Sequence, residues 1–253
     1  MTNNRLIHGD CLEVLPTLPH ATCLFADPPD NIGLKYTEGN DKLPDWEYIN
    51  LFESWLRRFI HSADIVWVSY NARWFAQVGA VVNRLLDLFR WLRVRQCVQT
   101  FTFGQHQQKQ LGNNYRPLLL LHDEHAKFYP DQIRVQSWRQ KCGDKRADPR
   151  GRVPGDVFDF PRVVGNSKQR RSWCPTQLHE GLVERCIRFS TADLRENAVI
   201  DPFAGSGTTL RVCKRISRPC TLIERCSAYC SEIAKEHALE IERPLGRARN
   251  AAA

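Results

Sequence analysis

The chain has 253 residues, 42% apolar and 25% charged, with a formal charge of +8. That is room for one large α/β domain, or one with a small insertion, and the composition is that of a soluble globular protein. It argues against a membrane span, because the longest mid-chain apolar run, 117–121, is far too short for a bilayer, and Met1 to Arg5 leads into Leu6-Ile7 with no signal-peptide pattern.

Taken in order, Leu6-Ile7-His8 reads as a short strand, Cys11 to Leu18 as a helix and Thr22 to Ala26 as a strand stopped by Pro28 and Pro29. Asp45 to Arg58 carries Trp46, Ile49, Phe52 and Leu56 at helical spacing. A buried strand follows at Asp64 to Ser69, then a helix over Ala72 to Leu88, and strands at Arg95 to Phe103 and Pro117 to Leu121. Asp123 to Arg171 is polar, rich in Arg, Gly and Pro, and without a long periodic segment, as in an insertion or recognition loop. Regular structure resumes with a helix over Leu178 to Phe189, a strand at Val199-Ile200 and a helix over Thr208 to Ile216. A strand at Cys220 to Ile223 and a helix over Ser227 to Ala238 close the pattern. The organisation expected is one domain over 1–242, with 123–171 inserted and 243–253 a disordered tail.

Ten cysteines contain no Cys-x-x-Cys pair, and Cys226/Cys230 has helical spacing, so they read as reduced thiols with no metal site. The charge is concentrated. Residues 134–171 hold eleven basic side chains against four acids, a net of +7, which is the footprint of a polyanionic partner. Arg139, Lys141, Lys145, Arg146, Arg150, Arg152, Lys168, Arg170 and Arg171 are the candidates for nucleic-acid contact.

Two motifs carry the chemistry. Asp201-Pro202-Phe203-Ala204-Gly205-Ser206-Gly207-Thr208 follows a strand and opens a helix, and its glycines allow positive φ and close approach of the backbone to a ligand. A P-loop is excluded because no Gly-Lys-Ser/Thr follows, and a dinucleotide site lacks the third glycine. Glu224, at the end of the next strand, is placed to accept hydrogen bonds from ribose hydroxyls. The other motif, Asp27-Pro28-Pro29-Asp30, is a rigid corner in which a carboxylate and a carbonyl can aim at one exocyclic amine. Ligands of open α/β sheets collect beyond the carboxyl ends of the strands, so the two motifs should share a crevice.

Together these segments resemble the amino-methyltransferases of DNA, in the permuted β class whose Asp-Pro-Pro-aromatic motif precedes the S-adenosylmethionine motif. The resemblance extends to His8-Gly9-Asp10, Ile65 to Val68, Gly155 to Pro161 and Pro175-Thr176-Gln177. It implies an α/β, Rossmann-like methyltransferase fold with a mixed, mostly parallel sheet and helices on both faces. It also implies S-adenosyl-L-methionine as cofactor, held by Asp10, Asp201, Phe203, Gly205, Ser206, Gly207, Thr208, Glu224, Thr176 and Gln177, with Asp27, Pro28, Pro29 and Asp30 as the catalytic turn. DNA is the implied partner and the cytoplasm the implied location (nucleoid-associated in a bacterium, nuclear in a eukaryote). A homodimer is compatible with it, and a partner nuclease leaves no signature in the chain.

Two positions depart from the family pattern. Asp30 stands where a Tyr, Phe or Trp stacks on the flipped base, and Cys174 stands where His often precedes Pro-Thr-Gln. Asp cannot stack, so it would accept a hydrogen bond from a base edge or leave stacking to Tyr36 or Trp46. The expected reaction is methylation of adenine N6, with cytosine N4 the alternative. The competing readings are a degenerate protein that binds DNA and cofactor, motivated by Asp30, and a methyltransferase of RNA or protein.

Overall fold

A computed structural model describes residues 3–36, 39–102, 107–109, 111–192 and 198–244. The apolar runs form β1 (Arg5–His8), β2 (Ala21–Ala26), the two-residue strands β3 (Lys35–Tyr36) and β4 (Gly39–Asn40), and β5 (Ala63–Ser69). They continue with β6 (Leu92–Thr100), β7 (Tyr115–Asp123), β8 (Val157–Asp159), β9 (Val199–Asp201), β10 (Cys220–Glu224) and β11 (Ile241–Glu242). The helices are α1 (Cys11–Val14), α2 (Asp45–Ile60), α3 (Phe75–Leu88), α4 (Trp138–Lys141), α5 (Glu180–Ser190), α6 (Thr208–Arg215) and α7 (Ser227–His237).

One nine-stranded sheet runs in the order β11-β1-β10-β9-β2-β5-β7-β6-β8. Its pairs are parallel except those of β7, which runs antiparallel to both β5 and β6. Alternate residues of each central strand face opposite sides, as the two-residue period of a strand requires. Leu24, Val66, Val68, Leu119 and Leu121 meet Phe52, Leu56 and Phe59 of α2 and Val78, Val82 and Leu85 of α3. Cys23, Phe25, Ile65, Trp67, Leu118 and Leu120 pack on the other side with Leu182, Val183 and Ile187 of α5 and Leu210 of α6. Both faces of the sheet are covered, and its inner strands therefore read as continuous apolar runs rather than as alternating ones.

The adjacency that matters most joins distant sequence. β2 lies beside β9, with Cys23 opposite Val199 and Leu24 opposite Ile200. The Asp27 corner and the Asp201–Gly207 turn therefore leave neighbouring strands at the same edge of the sheet.

Several elements differ from the sequence reading for local reasons. The helix expected over Cys11 to Leu18 breaks into α1 and a 3-10 turn at Leu15–Thr17, where Pro16 has no N–H to continue the ladder. The start of the Ala72 helix is a 3-10 turn capped by Asn71, whose side chain accepts from Arg73 N at 3.0 Å. α5 begins at Glu180 rather than Leu178, because His179 is its cap and accepts from Gly181 N at 3.1 Å. Within the expected insertion, Val157–Asp159 adds a parallel edge strand to β6, and Val135 bridges Arg152. Of the tail, 245–253 lie outside the described residues.

Candidate active site

At the sheet edge Asp27, Pro28, Pro29, Asp30, Gly205 and Glu224 line one cavity of about 710 Å³. Asp10, Phe203, Thr176 and Gln177 line it as well. That volume suits a nucleoside-sized ligand with room for a second group.

The glycine turn is built by backbone conformation. Gly205 has φ +48° and Gly207 φ +73°, and Gly207 is the N-cap of α6. An L side chain at either position would occupy the left-handed region at a cost of about 1–2 kcal/mol. Glu224 ties the turn to the next strand end: its carboxylate accepts from Gly205 N at 2.8 Å and from Cys226 N at 2.7 Å. Burial raises the Glu224 pKa, and these backbone donors partly offset the rise. Asp10 caps α1, accepting from Leu12 N at 2.8 Å. Opposite the turn, the Pro175-Thr176-Gln177 segment is braced by Cys174 Sγ donating to Thr176 O at 3.0 Å and by Gln177, which accepts from Arg171 N and donates to Gln169 O. Cys174 is itself 2% exposed, so the thiol serves as an internal brace at the position where the family often carries His.

Four residues expected at a cofactor lie behind the wall instead. Asp201, Ser206, Gly207 and Thr208 do not line the cavity. Asp201 is 4% exposed and accepts from Phe203 N at 2.9 Å, so its carboxylate constructs the turn. Burial pushes its pKa up to about 7, against hydrogen bonds from Thr209 and Phe203 that favour the charged form. Ser206 and Thr208 hydroxyls bond each other at 2.8 Å, and Arg211 donates to Ser206 O at 2.7 Å. The motif is plain in the sequence, but its residues divide between ligand wall and scaffold.

The Asp-Pro-Pro-Asp corner is clamped from below. Tyr48 of α2 donates its hydroxyl to Pro29 O at 2.8 Å, and Trp74 donates its ring N–H to Asp30 O at 2.8 Å. The Asp30 side chain borders the cavity but is only 10% exposed. Both its oxygens accept from Arg116, at 2.8 and 2.9 Å, and Arg116 also donates to Asp27 Oδ1 at 2.8 Å. The expectation that Asp30 would accept from a base edge is therefore replaced by an internal ion cluster. Trp46, the stacking substitute that the sequence suggests, is 69% exposed and does not line the cavity, and the Tyr36 side chain lies outside the described residues. Phe101, half-buried, and Tyr115, exposed, also line the cavity.

Arg116 does not stand out in the sequence. It precedes the strand run Pro117 to Leu121, and a charge abutting a buried run is the one signal it leaves there. β7 runs antiparallel to β5 with Leu118 opposite Ser69, so the start of β7 meets the ends of β5 and β2. Burial alone would lower the Arg116 pKa, but the charges of Asp27 and Asp30 more than offset it and the pKa rises. Burial raises Asp27, Arg116 opposes that rise and Asp30 adds to it.

The basic segment divides too. Arg139, Lys141, Lys145, Arg152 and Lys168 are exposed. Arg146 pairs with Asp144 and Arg150 with Asp148 on the surface, while Arg170 donates to Pro175 O. Arg171 holds Glu236 of α7 through two bonds, at 2.9 and 2.5 Å, and serves the fold. Nine of the ten cysteines are buried and Cys142 is exposed. No group of metal-binding side chains and no helix long and apolar enough to cross a membrane occurs among the described residues.

Comparison with known proteins places these features in context. Residues 21–236 match the family model N6_N4_Mtase, described as DNA methylase. The Type II methyltransferase M.BglII of Bacillus subtilis is 30% identical over 92% of this chain and 66% of its own length. M.BamHI of Bacillus amyloliquefaciens is 28% identical over 85% of the chain and 52% of its length, so this chain spans about half to two thirds of those two relatives. The DNA adenine methyltransferase YhdJ of Escherichia coli K12 is 31% identical over 88% of the chain and 79% of its length. Among solved structures, the cytosine-N4-specific PvuII DNA methyltransferase superposes with a TM-score of 0.70 at 17% identity, covering 92% of this chain and 86% of that one. The M1.HpyAVI–SAM complex gives 0.61 at 16% identity, covering 91% and 97%. The fold is that of the S-adenosylmethionine-dependent methyltransferases.

Proposed function

The chain belongs to the N6_N4_Mtase family of DNA methylases, and from that premise we propose that it transfers a methyl group from S-adenosylmethionine to the exocyclic amine of a DNA base. The observation that carries the proposal is the shared cavity: Asp27 and Pro28 line it together with Gly205 and Glu224, although the turns that open at Asp27 and Asp201 start 174 positions apart in sequence.

The residues fit the methyl donor. Glu224 presents an acid for ribose hydroxyls, Gly205 offers a wall without a side chain, and Thr176 and Gln177 line the same cavity. When bound, the sulfonium supplies an electrophilic methyl, which leaves with the bonding electrons remaining on sulfur. Asp27 and the Pro28 carbonyl accept hydrogen bonds from the two amine N–H groups, keeping the nitrogen lone pair out of ring conjugation and aimed along the line of attack. Such positioning is the principal contribution a site of this kind makes to rate. Duplex DNA has to surrender the base to reach this depth, and Phe101 and Tyr115 offer it faces to stack on. Asp27 or solvent takes up the proton released from nitrogen.

Adenine N6 is the first choice of target and cytosine N4 the alternative; the proteins named above include a DNA adenine methyltransferase and a cytosine-N4-specific one. Residues 1–242 act as one methyltransferase domain in this reading, and the exposed Arg139, Lys141, Lys145, Arg152 and Lys168 hold the phosphate backbone. DNA recovered from cells expressing the chain, hydrolysed to nucleosides and analysed by mass, tests the reading. N6-methyladenine is the expected product, N4-methylcytosine would transfer the target to cytosine, and unmodified DNA would contradict the activity.

A further inference from the structure

Arg116 reaches acceptors on three residues of two chain segments, the 27–30 corner and the end of β5. Nη1 and Nη2 donate to the two oxygens of Asp30, Nη2 also donates to Asp27 Oδ1, and Nε donates to the Ser69 hydroxyl. Ser69, the third member, also favours the charged form of Asp27. The cluster is largely enclosed, with side chains 19% exposed for Arg116, 24% for Asp27 and 10% for Asp30.

A guanidinium is a rigid planar fork, so its bidentate grip on Asp30 sets its plane, and the plane then fixes the direction of the bond to Asp27. Without Asp30, the same fork would be free to pair with both oxygens of Asp27. That would neutralise the carboxylate and cover the acceptor directions an amine needs. With Asp30 in place, two negative charges stand against one positive. Asp27 gives one oxygen to Arg116 and keeps part of its roughly four lone-pair directions for another donor.

We propose that Arg116 is a positioning residue for methyl transfer and that Asp30, through its bidentate grip, holds Arg116 off full pairing with Asp27. Asp30 then has a structural task of its own at the position where the family usually places a stacking ring. The proposal rests on the DNA amino-methyltransferase reading above.

The test is a double-mutant cycle with Asp30→Asn and Arg116→Gln, measuring kcat, KM for the cofactor and the acidic limb of the kcat–pH profile on duplex DNA. Each single variant falls about tenfold or more in kcat, while KM for the cofactor stays within about twofold. Asp30 raises and Arg116 lowers the proton affinity of Asp27. The acidic limb therefore moves to lower pH in Asp30→Asn and to higher pH in Arg116→Gln, opposite shifts that a merely structural role would not produce. The double variant is more active than Arg116→Gln alone, because the remaining carboxylate no longer faces a second unpaired one. Reductions that simply multiply, with both limbs unmoved in an active wild type, overturn this proposal and leave the methyltransferase reading standing. A wild type that methylates no DNA overturns both. If Arg116→Gln does not fold, Arg116→Lys decides: the charge without the fork lowers kcat at an unshifted limb, and full kcat in that variant overturns the proposal.

Discussion

Glu224→Gln separates the two tasks assigned to one side chain. The carboxylate bridges Gly205 N and Cys226 N at 2.8 and 2.7 Å, joining the glycine turn to the start of α7. An amide can satisfy only one of these donors, because its NH₂ would face the other N–H. Hydrogen bonds to a charged group contribute about 1.5–3 kcal/mol each, so removing one and weakening the other costs about 2–4 kcal/mol. In a chain of this size that lowers Tm by roughly 5–15 °C. The charge-assisted bond proposed to the ribose weakens at the same time, and about 1.5–3 kcal/mol there raises the cofactor Kd about ten- to a hundredfold. A thermal melt reads the first effect and titration calorimetry with S-adenosylmethionine the second. An unchanged Kd alongside a lowered Tm would make Glu224 a brace only, and unchanged values of both would refute the reasoning about this bridge.

Other outcomes follow from particular side chains. Burial lifts the Asp201 pKa to about 7, above the unfolded value of about 3.9, so the folded chain holds a proton that the unfolded chain releases and stability falls as pH rises across that window. Asp201→Asn is always neutral, and its Tm relative to wild type should rise between about pH 4 and 7; a constant difference would contradict the buried carboxyl. Replacing Lys141, Lys145 and Lys168 together by Ala should flatten the dependence of DNA affinity on salt by up to about 0.9 for each phosphate no longer neutralised, measured by fluorescence anisotropy. Arg171→Ala should instead lower Tm with little change in that slope, since its guanidinium is held by Glu236. Gly205→Ala meets no close neighbour, its nearest approach being Phe203 O at 3.6 Å, but places a side chain at φ +48°; it should weaken cofactor binding while the chain still folds cooperatively, as calorimetry and a melt would report.

The inner parallel strands β2, β5, β9 and β10 are legible in the sequence as apolar runs, and the long helices by their period. The shared crevice of the two turns is also expected there, from the rule that ligand-bearing turns gather at one edge of an open sheet, whereas the pairing of β2 with β9 is seen only in the structure. β8 is not legible: three residues, Val157 to Asp159, carry no period, and only the neighbouring β6 makes them a strand. Nor is Arg116, whose place depends on β7 running antiparallel beside β5. Without that non-local pairing, Asp30 reads as a missing ring rather than as one member of an ion cluster. The glycine motif shows the opposite case, since its sequence is plain but does not tell turn-building residues such as Asp201 from those facing the cavity. Tyr48 and Trp74, which clamp the Asp27–Asp30 corner through its carbonyls, look like ordinary helix residues because a backbone acceptor leaves no mark in sequence.

The most direct measurement is transfer of labelled methyl from S-adenosylmethionine to duplex DNA by the wild type and by Asp27→Ala, with cofactor affinity measured on both. The account predicts incorporation by the wild type, a fall of at least about a hundredfold in the variant, and a Kd for the cofactor changed little, because Glu224 and Gly205 remain in place. Comparable incorporation by both proteins would contradict the role given to Asp27 and, with it, the reading of the shared cavity.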